Sequence, residues 1–312
     1  MARETFHTLI AKNKRNTWFL ITCFMVLFIG MGMLIGGVWG KGDLIFSLVV
    51  AGIAAAIAFI CTLVSYFGGA SAILGISRAK QIKKADDPQL FNVVEELCLA
   101  GGLPLPKIYL IDDTALNAFA TGRNPSHASV AITVGLRAQL TRDELQGVMA
   151  HELSHVRNYD ILYSMLIAVM IGTLVMLSQV FLRSLWFGGG SRRRRSNNNN
   201  NGGGAAQLIM LIVAIVLAIL APILAKIIQM SMSRQREYLA DASSVALTRN
   251  PEGLASALAK LSGDREVLEV ASAATAPMYI VQPIKKFEAR ARGMFDTHPP
   301  VAERIARLKQ LT

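Results

Sequence analysis

Charged residues are scarce in this chain of 312 residues, because Lys, Arg, Asp and Glu together make up only 17%. Soluble globular proteins carry about 25%. No charge occurs in four stretches, at positions 17–40, 44–77, 161–182 and 205–225. Each stretch is near or above the ~20 residues that a helix needs to cross a bilayer. The composition excludes a disordered chain, argues against an ordinary soluble enzyme and predicts an integral membrane protein with four transmembrane helices.

Cysteine is also rare, with three residues in the chain, Cys23, Cys61 and Cys98. None has a neighbour in CxxC spacing, so we predict packed thiols and exclude a disulfide framework or a cysteine metal site. A cleavable signal peptide is not expected, because the first apolar run is too long for a signal core and a second run follows at once.

The net charge is +11 at pH 7, and the basic residues flank the apolar runs. Lys12, Lys14 and Arg15 precede the first run, and residues 78–84 carry four more after the second. Cytoplasmic loops of membrane proteins carry this excess. We therefore predict a transmembrane hairpin with a turn at 41–43, and place the N-terminus and residue 78 onward in the cytoplasm. The alternative, nucleic-acid binding, is set aside because topology explains the positions of the charges.

Local patterns divide the polar remainder into helices and strands. Apolar spacing predicts helices over 88–100, 251–261 and 301–311, and composition predicts strands over 107–111 and 129–134. A capping-box pattern opens a further helix at Thr141. Residues 183–204 form a low-complexity Arg/Asn/Gly loop, interpreted as a solvated insertion or a contact with anionic lipid.

The residues that indicate chemistry are His151-Glu152-Leu153-Ser154-His155, an HExxH motif. On a helix, side chains at i and i+4 share a face, so both imidazoles can reach one metal ion. Zinc suits such a site, and the intervening Glu152 can act as general base toward water. The alternative is a helix with two solvated histidines.

A catalytic zinc needs a third protein ligand. The HxxGxxH continuation is absent, because Asn158 and Ile161 stand where it needs Gly and His. A carboxylate is favoured, and Glu237 in Glu237-Tyr-Leu-Ala-Asp241 is the candidate, with Asp241 accepting the second ring N–H of a ligand histidine. A solvated acidic pair beside two arginines is the alternative.

Four further residues have open interpretations. His298 could donate to an oxyanion or cap a loop. Asn117 is predicted to lie in an edge strand, where it could contact substrate, or it could favour a turn. Arg304 could orient the region near His298, but a position on a helix surface is favoured. Asp160 could cap a helix or support a ligand.

The order of motifs constrains the topology. His155 and Glu237 can meet at one zinc ion only if the chain between them crosses the membrane an even number of times. Two crossings are favoured because lipid-length apolar helices normally span. They place the arginine-rich loop outside, against the positive-inside tendency. Zero crossings would make the third and fourth runs a re-entrant hairpin.

The motifs HELSH, NAFATG, EYLAD and THPP…ERI, in this order among four hydrophobic segments, resemble the HtpX family of membrane-bound zinc metalloproteases. The 183–204 loop departs from that pattern. The resemblance implies one zinc ion per chain held by His151, His155 and Glu237, with Glu152 as the base and Asp241 behind the ligands. It also implies a role in stress response and quality control, with membrane or unfolded polypeptides as substrates and the active site facing the cytosol.

We therefore predict a mainly α (α+β) zinc metalloendopeptidase of a bacterial-type inner membrane. Four transmembrane helices would accompany a cytosolic zincin-like domain with a small β-sheet. The predicted segments are 1–77 (tail and transmembrane hairpin), 78–160 (first protease part), 161–225 (second hydrophobic hairpin) and 226–312 (second protease part). Two rival hypotheses are an inactive scaffold with a relic metal site and a metal transporter. A transporter would be expected to carry ionisable residues in its membrane helices, and these four runs have none.

Overall fold

The structure is a computed structural model that describes residues 6–170, 172, 234–264, 266, 268, 269, 271, 275, 278–281 and 299–311. The described residues divide into two compact units. One contains 6–17, 66–169 and those from 234 onward, and the other contains 18–65 and 170 with 172. The predicted third hydrophobic run lies only partly within the described residues, and the fourth run and the 183–204 loop lie outside them.

Two long apolar helices, α1 (Phe6–Trp39) and α2 (Leu44–Ile76), form a hairpin. Their candidate membrane spans are Asn13–Gly37 and Leu44–Ile76, by length and composition. A Cβ at Gly36 would lie 2.6 Å from the Cα of Ser47, so small residues allow this close approach, as between membrane helices. Asp43 ends the predicted turn by accepting the backbone N–H of Ile45 at 2.8 Å. The two predicted apolar helices and the turn between them are thus present, and their orientation in the membrane stays a prediction.

A four-stranded mixed sheet follows, with the order β1-β2-β4-β3. Its strands are β1 (Ala79–Gln81), β2 (Lys107–Ile111), β3 (Ala118–Gly122) and β4 (Ala128–Thr133). The β2–β4 pair is parallel, and the two outer pairs are antiparallel. The predicted strands 107–111 and 129–134 are therefore β2 and β4, the latter one residue earlier. β3 stands at one edge of the sheet.

The remaining helices surround one central helix, α5. In chain order they are α3 (Pro88–Gly101), α4 (Val134–Gln139), α5 (Arg142–Arg157), α6 (Asp160–Met170), α7 (Arg234–Thr248), α8 (Pro251–Gly263) and α9 (Val301–Leu308). α5 packs against α3, α7, α8 and β3. It carries the HExxH motif, so the motif lies inside the core of this unit.

Two glycines allow the backbones of α5 and α8 to pack closely. A Cβ at Gly147 would lie 2.6 Å from the backbone nitrogen of Leu254, and one at Gly253 would lie 2.6 Å from the carbonyl oxygen of Asp143. On another side Ser244 of α7 donates its hydroxyl to the Gly147 carbonyl at 2.9 Å. Since backbone rather than flexible side chain fills these spaces, α5 has little room to slide or turn.

The N-terminus of α5 is fixed by the predicted capping box. Thr141 Oγ1 accepts the Glu144 N–H, and Glu144 Oε2 accepts the Thr141 N–H at 2.8 Å. Glu144 also accepts from Ser256 at 2.6 Å and pairs with Lys260 at 2.7 Å. Burial acts to raise the pKa of Glu144, but the bonds from Lys260, Ser256 and Thr141 outweigh it and lower the pKa to about 2.

We expect Glu144→Gln to destabilise the protein by about 1.5–3 kcal/mol at neutral pH, because a buried charged hydrogen bond is lost. A carboxylate with a lowered pKa stabilises the fold above its unfolded value of about 4.3, and this contribution disappears as the pH falls toward the folded value. The gap in thermal midpoint between wild type and variant should therefore shrink from pH 6 to pH 3. A difference in thermal midpoint that does not change with pH would contradict the lowered pKa of Glu144.

Candidate metal centre

Three side chains from α5 and α7 converge on one point. His151, His155 and Glu237 each offer a ligand atom, and these atoms all lie within 4.8 Å of one another. Both imidazoles come from one face of α5, as the i, i+4 spacing predicts, and Glu237 lies in the first turn of α7. His151 and Glu237 are 1% exposed, whereas His155 is 15% exposed. The centre is therefore reached from the His155 side.

The nearest donor atoms of each pair of side chains, taken with whichever Glu237 oxygen is closer, are about as far apart as the ligands of a tetrahedral zinc ion. With bonds of about 2.0–2.2 Å, tetrahedral ligand atoms lie roughly 3.3–3.6 Å apart. The two Nε2 atoms are 3.2 Å apart, His155 Nε2 lies 3.5 Å from Glu237 Oε1, and His151 Nε2 lies 3.7 Å from Glu237 Oε2. Two imidazoles and a carboxylate are also a donor set that zinc accepts. The residues present fit a zinc ion.

Each histidine has a carboxylate behind it. His151 Nδ1 lies 3.0 Å from Asp241 Oδ1, and His155 Nδ1 lies 3.0 Å from Asp160 Oδ2. A carboxylate can only accept here, so each Nδ1 carries a proton, and each Nε2 is the ring nitrogen that is left to bind a metal ion at the shared centre. Such partners fix ring orientation and raise ligand basicity. Of the two interpretations left open for Asp160, the contact with His155 favours support of a ligand.

The charges around the two rings differ. The pKa of His151 is lowered by burial and by the Arg304 guanidinium, against the opposing pull of Asp241. Burial also acts to lower the pKa of His155, but Asp160 and Glu237 outweigh it and raise the pKa to about 9. The two rings therefore have unequal basicity, and the hydrogen bond to Asp160 is the largest single cause that raises the pKa of His155.

Glu152 lies beside the centre, and one of its two carboxyl oxygens is not hydrogen-bonded within the described part of the chain. Its side chain is buried, and Oε1 has no hydrogen-bond partner among the described residues. Burial raises the pKa of Glu152 to about 7, Glu237 adds to the rise, and His155 and the Ala120 N–H oppose it. A carboxyl group with a pKa near neutrality can exchange a proton with substrate or water.

Arg304 is wholly buried in the centre, which corrects the expectation of a surface arginine. Its Nη2 and Nε atoms donate to the two oxygens of Asp241 at 2.6 and 2.9 Å, and Nη1 donates to the Ile280 carbonyl at 3.2 Å. Nη1 also lies 3.5 Å from Glu237. The signal was in the sequence: Val301, Arg304 and Leu308 share one helix face, so the arginine stands on an apolar stripe.

Asn117 directly precedes the edge strand β3, and its side chain is engaged by the chain itself. The residue is 3% exposed, Nδ2 donates to the Val281 carbonyl at 3.0 Å, and Oδ1 accepts the Ala118 N–H. Next to it, Phe119 pairs with Tyr279 in an antiparallel bridge, and the Ile280 N–H donates to the Ala118 carbonyl. The start of this edge is thus occupied. His298 lies outside the described residues.

One helix brings two histidines and a candidate general base to the metal centre, and a glutamate distant in sequence supplies the third ligand. This arrangement defines an HExxH zinc metalloprotease. The comparisons with known proteins agree. Residues 84–312 match Peptidase family M48. A Protease HtpX homolog of Streptococcus pneumoniae (strain Hungary19A-6) is 42% identical over 305 residues, covering 97% of this chain and 98% of that protein.

A second relative, the Protease HtpX homolog of Streptococcus mutans serotype c (strain ATCC 700610 / UA159), is 43% identical over 302 residues, with 97% and 98% covered. Among solved structures, "Crystal Structure of S. mikatae Ste24p" has a TM-score of 0.48 and 19% identity, covering 96% of this chain and 66% of that one. That likeness is too distant to bear on residue roles. The chain belongs to peptidase family M48 and is a membrane zinc metalloprotease of the HtpX type.

Proposed function

We propose that this protein is a membrane-embedded endopeptidase in which His151, His155 and Glu237 hold one zinc ion and Glu152 is the general base. The observation that carries the proposal is the convergence of three donor atoms within 4.8 Å beside a buried carboxyl group, Glu152, whose Oε1 has no hydrogen-bond partner among the described residues. When bound, zinc supplies polarisation of the scissile carbonyl and acidification of water. The other roles fall to the side chains.

Peptide hydrolysis requires one proton to leave water and one to reach the departing amine. Glu152 takes the proton from water as its oxygen bonds to the carbonyl carbon, and passes it to the nitrogen as the C–N bond breaks. A pKa of about 7 suits both transfers. Asp241 keeps His151 in one tautomer, and Arg304 balances the carboxylate charge in the buried centre.

The substrate is proposed to pair in extended form with β3, by β-augmentation. Because Ala118 and Phe119 already pair with Tyr279 and Ile280, the proposed pairing is with the later part of the strand, Ala120 to Gly122, where the described residues show no such bridge on this side; the strand is buried, so the peptide would have to displace what covers it. The Ala120 N–H lies by Glu152, which brings that half of the edge to the general base. Contact between Asn117 and substrate would require the 280–281 segment to move.

We further propose that the substrates are membrane proteins or unfolded polypeptides, cleaved on the cytoplasmic side of a bacterial inner membrane in stress-related quality control. Two candidate spans support a position in the bilayer, and the basic residues on both flanks of the first hairpin favour a cytoplasmic position for the protease unit. The predicted protease parts, 78–160 and 226–312, contain every proposed ligand. His298 stays a proposed oxyanion donor.

The direct test of the metal centre is Glu237→Ala, purified in detergent and measured for zinc by elemental analysis. We expect zinc to fall from one per chain to well below one, and chelator-sensitive cleavage of an unfolded protein such as casein to fall by at least about 10²-fold, because two imidazoles do not complete a catalytic site. Glu252→Ala, an exposed glutamate on α8, is the matched control. Unchanged zinc content in Glu237→Ala would remove Glu237 as a ligand.

A further inference from the structure

We propose that Asp160 is a positioning residue for His155, and that Asn13 at the start of the first membrane span is a second positioning residue that holds Asp160. The metal centre would then extend to the N-terminal part of α1, far away in sequence from both metal-binding motifs. The inference rests on the proposed function, because it takes His155 as a metal ligand.

The two oxygens of Asp160 have separate tasks. Oδ2 accepts the Nδ1–H of His155 at 3.0 Å. Oδ1 accepts from Asn13 Nδ2 at 2.5 Å and lies 3.4 Å from Arg236 Nη1. The carboxylate is 8% exposed, so water competes little for these bonds. One oxygen thus orients the ligand, while the other is fixed by two donors from different helices.

Asn13 is itself held on three sides. Its side chain is buried, Nδ2 also donates to the Asn158 carbonyl at 3.0 Å, and Oδ1 accepts from Arg236 Nη1 at 3.2 Å. Asn13, Asp160 and Arg236 therefore form a closed triangle that joins α1, α6 and α7. Since Arg236 directly precedes Glu237, the triangle touches the segment that carries the third proposed ligand as well.

The turn between α5 and α6 is shaped to bring Asp160 back to His155. Tyr159 has φ of 60°, a left-handed conformation that non-glycine residues rarely adopt. This reversal places Asp160 within reach of a ring on the last turn of α5. Lys14, next to Asn13, covers the Tyr159 ring at 4.8 Å from its centroid. The N-terminal part of α1 thus packs on the turn as well as on the carboxylate.

The test measures zinc affinity of the full chain in detergent by competition with a chromogenic chelator, in a Glu152→Gln background to prevent self-cleavage. Asp160→Asn should weaken binding about 10–100-fold, as loss of a partner behind a metal ligand does. Whichever way the new amide turns, its NH₂ faces a donor, either His155 or the Asn13–Arg236 pair. Asn13→Ala should weaken binding less than about tenfold, since only one support of Asp160 is lost.

Three readouts separate positioning from mere structural support. The cobalt-substituted Asp160→Asn protein should have a shifted visible spectrum, because the orientation of His155 changes. The Asp160→Glu variant should recover part of the affinity. In the Asn13→Ala/Asp160→Asn double variant the two losses should not multiply, because Asn13 acts through Asp160. Asn92→Ala and Asp112→Asn, at exposed positions, are the matched controls.

Wild-type zinc affinity and an unchanged cobalt spectrum in folded Asp160→Asn would overturn the inference. If that variant does not fold, Asn13→Ala decides: unchanged affinity there removes Asn13 from the proposal. The proposed function fails differently, since it predicts that His155→Ala loses zinc. Should His155→Ala retain one zinc ion per chain, the ligand assignment is wrong. If His155→Ala loses zinc and Asp160→Asn does not weaken it, only the positioning role is wrong.

Discussion

Glu152→Gln is expected to lower kcat for casein cleavage by about 10²–10⁴-fold, the contribution of a general base, with zinc content unchanged. Glutamine has nearly the shape of glutamate but cannot take a proton. The Glu152 side chain is buried beside the metal centre, and burial raises its pKa to about 7. Neither fact gives it a part in holding the metal. Purified protein should be assayed for initial rates and for zinc by elemental analysis.

The matched control is Glu252→Gln, at an exposed position on α8, which should cleave at the wild-type rate. Equal rates for wild type and Glu152→Gln would exclude Glu152 as the base. They would also favour the hypothesis of an inactive scaffold, with a contaminating protease as the source of the cleavage. Loss of zinc together with activity in Glu152→Gln would instead indicate that Glu152 supports the metal centre.

The largest effect on stability is expected for Arg304→Met. The substitution leaves Asp241 charged and buried without its two bonds from the guanidinium. Breaking a buried ion pair from one side costs about 3–5 kcal/mol. For a protein of this size the thermal midpoint should fall by on the order of 10 °C. Thermal unfolding in detergent, followed by circular dichroism, measures the change.

Two variants sharpen that experiment. Arg307→Met, three residues further along α9, removes an arginine that is 54% exposed and should cost less than about 1 kcal/mol. Adding Asp241→Asn to Arg304→Met removes the stranded charge and should recover part of the lost stability. If Arg304→Met and Arg307→Met are equally stable, the buried pair contributes nothing measurable.

The elements with local signals were predictable from the sequence. The capping box at Thr141 sets the start of α5, and the apolar face predicted for α3 is the buried one. The i, i+4 spacing within HExxH needs only helix geometry, so the convergence of His151 and His155 followed directly. Glu237 could be predicted as a ligand because a catalytic zinc needs a third protein ligand and the sequence has few candidates. β2 was predicted with its observed ends.

Contacts between distant segments were not predictable in the same way. Arg304 was interpreted as a surface residue because a cation on a short amphipathic helix is usually solvated, and its burial is explained by partners that are distant in sequence, above all Asp241 on another helix. Asn13 carried no signal, since nothing local distinguishes it from other polar residues before an apolar run. The pairing of Phe119 with Tyr279 likewise joins two distant segments of the chain, and no periodic pattern in the sequence predicts it.

The glycine contact between α5 and α8 has a consequence for ion selectivity. A Cβ at Gly147 would meet the backbone of Leu254 at 2.6 Å, so the helix that carries both imidazoles is wedged against a neighbour that cannot yield. The distance between these two rings on α5 and Glu237 on α7 can therefore adapt little to an incoming cation, since Ser244 of α7 is also bonded to Gly147. Larger ions such as calcium need bonds of about 2.3–2.6 Å and six or more oxygens. We expect them to bind poorly here, because the ligand atoms lie too close together for such bonds.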